Sequence, residues 1–166
     1  MEMPKPSQEH QRLHALCGEW IGDETLSPSP WGPGGRAIAR VTTRLELDGF
    51  YVVQDYVEEK DGRVTFRGHG LFSYDTQARE YCRYWFDSIG FVPDAPARGA
   101  WEGDTLTFRY SSPRGQARYT YRFESDRLHH LRLENSFDGG QTWTTFLEAV
   151  YRRISADGSA GADGAR

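Results

Sequence analysis

Cysteines and long apolar runs are scarce in this sequence. Only Cys17 and Cys82 occur, and they lie far apart. Two isolated cysteines are typical of reduced, buried thiols and not of a disulfide-stabilised secreted domain. No segment approaches the roughly 20 apolar residues that a membrane-spanning helix requires, and the N-terminal segment MEMPKPSQEHQRLH lacks the apolar core of a signal peptide. We therefore expect a soluble cytoplasmic protein with no membrane partner.

Basic clusters and catalytic motifs are also missing. The 20 Lys and Arg residues alternate with acids, and the net charge is −4. A nucleic-acid surface needs a clustered basic stripe, so we expect no nucleic-acid partner. The sequence contains no GxSxG elbow, HExxH, CxxC or Asp-rich calcium loop. We therefore assign no metal or cofactor, and an enzyme is the less favoured class.

Aromatic residues are abundant, with 9 Phe, 9 Tyr and 5 Trp. Aromatic rings fit the half-buried surface of a β-sheet, and they also line ligand pockets. Their number alone does not separate these two uses.

The pattern predicts one short helix followed only by strands. The helix spans residues 8–16, with Ser7 as its cap and Gly18 as its end. Turn residues then recur at short intervals, which indicates an antiparallel meander. The predicted strands are 19–26, 36–47, 50–59, 63–74, 80–87, 97–101, 105–111, 116–124, 127–135 and 142–153. So many strands favour closure, which removes both sheet edges. The predicted fold is an all-β, about ten-stranded, up-and-down antiparallel barrel.

The domain and its loops are predicted from composition. Residues 7–154 form one domain, and the low-complexity residues 155–166 form a disordered tail. The two longest gaps between strands, 27–35 and 88–96, are rich in Pro and Gly. We expect both loops at one open end of the barrel.

Alternation within strands predicts which side chains face inward. In the second strand, Val41, Leu45 and Leu47 share the inward face. In the fourth strand, Gly68 and Gly70 face inward and leave space. That space holds either a neighbouring ring, such as Trp20 or Trp85, or part of a pocket.

Polar residues on inward faces are the candidates for chemistry, because burial of an unpartnered polar group is costly. Glu24 shares the parity of Trp20, and His129 that of the inward leucines on its strand. The predicted ligand-binding residues are Trp20, Glu24, Gln54, Gly68, Gly70, Trp85, Asp87, Tyr110, Tyr119, Tyr121 and His129. Either Gln54 or Asp55 faces inward, and so does either Asp87 or Ser88. Two simpler alternatives stay open: Glu24 is solvated at the rim, and His129 hydrogen-bonds a tyrosine.

Two further positions have structural interpretations. Arg153 lies on the last strand, which pairs with the first in a closed barrel. We therefore expect its guanidinium to stack on Trp20 and close the base. His69, between the two inward glycines, is predicted to point outward.

Several segments together resemble the bacterial family domain of unknown function 1579. They are HQRLHALCGEW at 10–20, PSPWGPGG at 28–35, LDGFYVVQDY at 47–56, FRGHG at 66–70 and YWFDSIG at 84–90. The resemblance implies a lipocalin-like, or calycin, barrel with a central pocket, and it highlights Glu24, His69, Asp87 and Ser88. It carries no established catalytic residue. Nitrobindin-type heme barrels are a related design, which leaves heme as the alternative to no cofactor, with His129 as the inward histidine.

Three functional hypotheses follow. The leading one is a non-enzymatic barrel that binds a small apolar or amphipathic molecule. The second is an isomerase, cyclase or decarboxylase that uses Glu24, Tyr119 and His129 as acid and base. The third is an interaction module that forms a homodimer through the fifth strand and the Trp31 loop.

Overall fold

Ten antiparallel strands form one closed barrel in the computed structural model, which describes residues 2–155. A short helix α1 (Gln8–Arg12) continues as a 3-10 helix (Leu13–Leu16) and precedes the barrel. The strands are β1 (Gly18–Leu26), β2 (Gly35–Glu46), β3 (Tyr51–Lys60), β4 (Arg63–Asp75), β5 (Glu80–Asp87), β6 (Ala97–Glu102), β7 (Thr105–Ser112), β8 (Gly115–Phe123), β9 (Leu128–Ser136) and β10 (Thr144–Ser155). Each strand pairs with its neighbours in the chain, and β10 pairs with β1. The predicted all-β barrel with an N-terminal helix is confirmed.

The predicted inward faces hold along most strands. In β2, burial alternates strictly from Ala37 to Thr43. The prediction for Leu45 and Leu47 is wrong, because their side chains are 44% and 67% exposed. Leu45 lies at the very end of the barrel, and Leu47 begins a 3-10 turn with a φ of 51° that breaks the alternation.

The predicted tail, residues 155–166, lies outside the described residues except for Ser155, whose backbone ends β10. None of the helices within residues 2–155 is long and apolar enough to cross a membrane.

The N-terminal helical segment closes one end of the barrel. Leu13 and Leu16 are each 1% exposed and join the interior core. Trp20 on β1 donates a hydrogen bond from Nε1 to the Leu16 carbonyl, 3.0 Å away. The Arg153 guanidinium lies 4.5 Å from the centroid of the Trp20 ring. The predicted contact between Arg153 and Trp20 is therefore confirmed, and we call this end the closed end.

The opposite end carries the two long loops. Residues 27–34 join β1 to β2, and residues 88–96 join β5 to β6. Trp31 in the first loop and Phe91 in the second meet edge to face, with ring centroids 5.9 Å apart. The predicted position of both loops at one end is confirmed, and we call it the open end.

Candidate functional site

The closed half of the barrel interior is filled by packed side chains. Inward-facing residues there include Trp20, Phe72, Leu106 and Phe108, each at most 1% exposed, and Tyr121 at 3%. The rings of Phe72, Phe108 and Tyr121 contact one another edge to face. This half is a conventional hydrophobic core.

The open half differs, because inward-facing aromatic rings there keep part of their exposure. The same inward faces continue from the core to Phe66 on β4, Trp85 on β5, Tyr110 on β7, Tyr119 on β8 and Leu133 on β9. All five side chains are only half-buried. An inward side chain of a closed barrel stays exposed only where solvent reaches the interior. The part of the open half formed by β4–β9 is therefore accessible to solvent and lined by aromatic rings, whereas Ala37 and Leu147 on the opposite wall are buried.

The barrel wall is also interrupted beside this space. Strands β5 and β6 pair only from Tyr81 opposite Gly99 to Arg83 opposite Ala97. Beyond Arg83, β5 continues to Asp87 without a partner on that side, and β7 likewise extends past β6. Loop 88–96 spans the gap and is held by a 2.6 Å hydrogen bond from the Tyr110 hydroxyl to Asp94.

Arg83 lies at the boundary between the two halves. Its guanidinium carbon is 4.1 Å from the Tyr119 ring centroid, 4.5 Å from that of Trp85 and 5.9 Å from that of Phe72. The residue is 5% exposed, and its Nε has no hydrogen-bond partner. Among residues 2–155, no carboxylate lies within 4.0 Å of the Arg83 nitrogens. Sequence reasoning missed Arg83, although it shares the inward parity of Tyr81 and Trp85.

Gly68 and Gly70 accommodate the ring of Trp85. A methyl group on Gly68 would overlap the indole, and one on Gly70 would lie 3.3 Å from it and 3.1 Å from Phe72. The glycines therefore accommodate a neighbouring ring, as the first of the two alternatives predicted. The indole Nε1 donates to Asp87, 3.1 Å away, which places Asp87 on the side of Trp85.

Glu24 is an inward, fully buried carboxyl group, 1% exposed. The Tyr56 hydroxyl donates to its Oε2 over 2.7 Å, and the Tyr151 hydroxyl donates to its Oε1 over 2.5 Å. Burial raises the pKa of Glu24 to about 7, while the two phenol hydrogen bonds oppose the rise and nearby Glu58 adds to it. The inward prediction for Glu24 is confirmed, and the alternative of a solvated rim position is wrong. Sequence reasoning missed both phenol partners.

His129 is enclosed by aromatic rings. Tyr151 stacks on it at 5.0 Å between centroids, Phe123 lies at 5.0 Å, and Trp20 meets it edge on at 4.4 Å. Burial lowers the pKa of the imidazole to about 3, and its Nδ1 has no partner. The alternative that His129 hydrogen-bonds a tyrosine is therefore wrong for the described residues. A porphyrin ligated by this imidazole would have to displace the surrounding rings, so the site does not fit heme.

The three residues considered for catalysis do not converge. The Tyr151 ring lies between Glu24 and His129, since it stacks on the imidazole and donates to the carboxyl group. Tyr119 instead packs against Arg83. Trp20, Tyr121 and His129 all lie in the filled half, away from the half-buried rings of the open half.

The remaining polar candidates have local partners. Gln54 faces inward and donates to Thr43, 3.2 Å away, whereas Asp55 faces outward. His69 is 44% exposed and pairs with Asp55 at 2.7 Å, so its outward prediction is confirmed. Within residues 2–155, no group of three or more His, Cys, Asp or Glu side chains is arranged to hold a metal ion.

Comparisons with known proteins agree with this architecture. The family described as "Protein of unknown function (DUF1579)" matches residues 5–153. No curated protein matches the sequence. Among solved structures, Rv2717c from M. tuberculosis superposes with a TM-score of 0.59 at 15% identity, covering 90% of this chain and 99% of that one. The S-type phycobiliprotein lyase CPES from Guillardia theta gives 0.63 at 10% identity, covering 98% and 100%. At these identities the two structures show a shared fold.

Proposed function

The chain belongs to the DUF1579 family of proteins of unknown function, and we propose that its barrel binds a small amphipathic molecule in the open half of the interior. The observation that carries this proposal is the contrast between the two halves. Phe72 and Phe108 are fully buried, whereas Phe66, Trp85 and Tyr119 on the continuing inward faces are half-buried.

The exposed rings provide the driving force for binding. Burial of apolar surface is favourable by about 25 cal/mol per Å², so a molecule that covers these rings gains affinity from them. The half-buried Tyr119 also brings a phenol hydroxyl to this wall of the barrel. A concave, mainly aromatic surface with a few polar groups is typical of a small-molecule site.

The open end supplies an apolar rim beside this space. Trp31, Phe91 and Val92 are 65%, 46% and 83% exposed. The Guillardia theta barrel of the same fold is named as a phycobiliprotein lyase, which supports small-molecule chemistry in such a barrel by likeness of fold.

Fluorescence titration with the uncharged probe N-phenyl-1-naphthylamine tests the proposal. Wild-type protein should bind the probe saturably with one site per chain. Ala117 faces inward in the open half, beside Tyr110, so Ala117→Trp should fill the space and weaken binding at least tenfold. Thr120→Trp, on the outer face of the same strand, is the matched control and should bind like wild type. Circular dichroism establishes that both variants fold.

Absence of saturable binding, or equal binding by both folded variants, would overturn the proposal.

The dimer hypothesis stays a separate prediction. Tyr84 and Phe86 on β5 are 39% and 41% exposed, and light scattering at high concentration tests whether the protein forms a dimer.

A further inference from the structure

We infer that the molecule bound in the open half is an organic acid, and that Arg83 binds its anionic group. This inference rests on the proposed function and adds the chemical class of the ligand. The acidic group would lie at the floor of the open half, and the apolar body would extend along Trp85 and Tyr119 toward the open end.

Arg83 carries a permanent positive charge in the barrel interior. A guanidinium keeps its proton in proteins, so it cannot escape burial by becoming neutral. At 5% exposure, Arg83 has lost most of its water. A buried charge without a partner is strongly unfavourable unless something compensates it. Such a residue is unexpected in a barrel that could place an apolar side chain there.

The aromatic rings around Arg83 leave hydrogen-bond donors of its guanidinium without acceptors. Tyr119 and Trp85 lie within 4.5 Å of the guanidinium carbon and attract the cation through their ring faces. Rings do not accept the in-plane N–H hydrogen bonds of the fork, and Nε is buried without an acceptor. A carboxylate or sulfonate matches that fork geometry and would accept these hydrogen bonds.

The inward carboxyl groups near Arg83 accept hydrogen bonds from other residues. Asp87 accepts from the Trp85 indole and from the backbone of Ile89. Glu24 accepts from two tyrosines, and Glu58 accepts from Thr65 at 2.7 Å. Within residues 2–155, none of them reaches Arg83, so no described carboxylate supplies the complementary anion.

A ligand can reach Arg83 from the open end. The β5–β6 ladder stops at Arg83 itself, opposite Ala97. The neighbouring rings of Trp85 and Tyr119 are half-buried, so the interior beside the guanidinium is reachable from the open end. Arg83 thus lies at the inner limit of the accessible space, where an anchor for one end of a ligand belongs.

Two probes that differ by one sulfonate test the inference. The anionic probe is 1-anilinonaphthalene-8-sulfonate, and the neutral one is N-phenyl-1-naphthylamine. Both are titrated at 0.3 M NaCl, which screens outer-surface charges. Wild type should prefer the sulfonate, and Arg83→Met should weaken its binding roughly 10- to 100-fold while retaining the neutral probe. Arg83→Lys keeps the charge without the fork and should give intermediate affinity for the sulfonate.

Arg109→Met is the matched control, because it removes one exposed arginine from the outer face of β7 with the same change in net charge. It should bind both probes like wild type. Wild type that binds the neutral probe but shows no preference for the sulfonate would overturn the role of Arg83 and leave the proposed function standing. A wild type that binds neither probe would overturn the proposed function. If Arg83→Met and Arg109→Met lose affinity for the sulfonate probe equally, the preference comes from surface charge, and the inference is overturned.

Discussion

The indole ring of Trp85 on β5 lies directly against the α-carbon of Gly68 on β4, in the space where any other residue would place its side chain. Gly68 is therefore required by a close approach and not by its backbone angles. Gly70 approaches the same ring less closely, since a methyl group there would lie 3.3 Å from it.

This relationship predicts unequal costs for two similar substitutions. Gly68→Ala should force Trp85 out of place and lower the free energy of unfolding by about 1–3 kcal/mol, as overpacking does. Gly70→Ala should cost less, because a shift of a few tenths of an ångström relieves it. Gly32→Ala is the control, since nothing lies within 4 Å of its added methyl group. Urea unfolding of the three variants checks the order, and equal costs at Gly68 and Gly32 would contradict it.

The Trp20–Arg153 contact at the closed end predicts coupled losses. Trp20→Ala should destabilise the barrel by about 3–5 kcal/mol, because it removes a fully buried ring. Arg153→Ala should cost less, since Arg153 is only partly buried. The two losses should be non-additive by about 0.5–2 kcal/mol, since the guanidinium stacks on that ring. A double-mutant cycle measured by urea unfolding gives the coupling, and strictly additive losses would refute an energetic contact.

The buried carboxyl group of Glu24 predicts a stability that falls with rising pH. Its pKa is raised from the ordinary value of 4.5 to about 7 in the folded protein. The folded state therefore holds this proton more tightly than the unfolded state. The resulting contribution of Glu24 to the free energy of unfolding is complete below pH 4.5 and is lost as the pH rises through 7. The full loss amounts to about 3 kcal/mol.

Glu24→Gln removes this titration, so the variant should gain stability relative to wild type between pH 5 and pH 8. Glu148→Gln, an exposed carboxylate on the outer face of β10, is the control and should show no such trend. Parallel stability–pH curves for Glu24→Gln and wild type would show that the Glu24 pKa does not differ between the folded and unfolded states.

For His129 we expect the opposite trend, in which the stability of the protein falls as the pH is lowered. Burial lowers its pKa from 6.5 to about 3, so only the unfolded state gains this proton between those values. The contribution of neutral His129 to the free energy of unfolding is complete above pH 6.5 and is lost as the pH falls toward 3. About 2–3 kcal/mol of it is lost by pH 4.5. His129→Phe should flatten this acid-side loss, whereas His14→Gln, at an exposed histidine of the N-terminal 3-10 helix, should not. Thermal unfolding from pH 4 to pH 7 distinguishes them.

For Arg83 we expect that removal of the buried guanidinium stabilises the ligand-free protein. Even a buried ion pair is often less stable than apolar side chains of similar volume, by about 1–4 kcal/mol, and Arg83 has no carboxylate partner among residues 2–155. Arg83→Met should therefore unfold at a higher temperature than wild type in the absence of ligand, while Arg109→Met should match wild type. A clear loss of stability in Arg83→Met would show that the guanidinium supports the fold through its contacts with Tyr119 and Trp85.

Local signals in the sequence are enough to predict the strands, their order and most of their inward faces. These features depend on local signals: turn residues between short segments, and side chains that alternate between two faces. Parity alone placed Trp20, Glu24 and the two glycines correctly. The same rule places Arg83 inward, but nothing in the sequence distinguishes an inward arginine with a partner from one without.

Which inward residues meet, and how far along the barrel each lies, depends on how the closed barrel is assembled. The Tyr151 hydroxyl reaches Glu24 from 127 residues away, because closure of the barrel pairs β10 with β1. The stagger of the strands buried His129 and Tyr121 in the filled half and left Trp85 and Tyr119 half-exposed. Depth along a barrel depends on strand tilt and register, which are properties of the whole closed sheet and of no single strand.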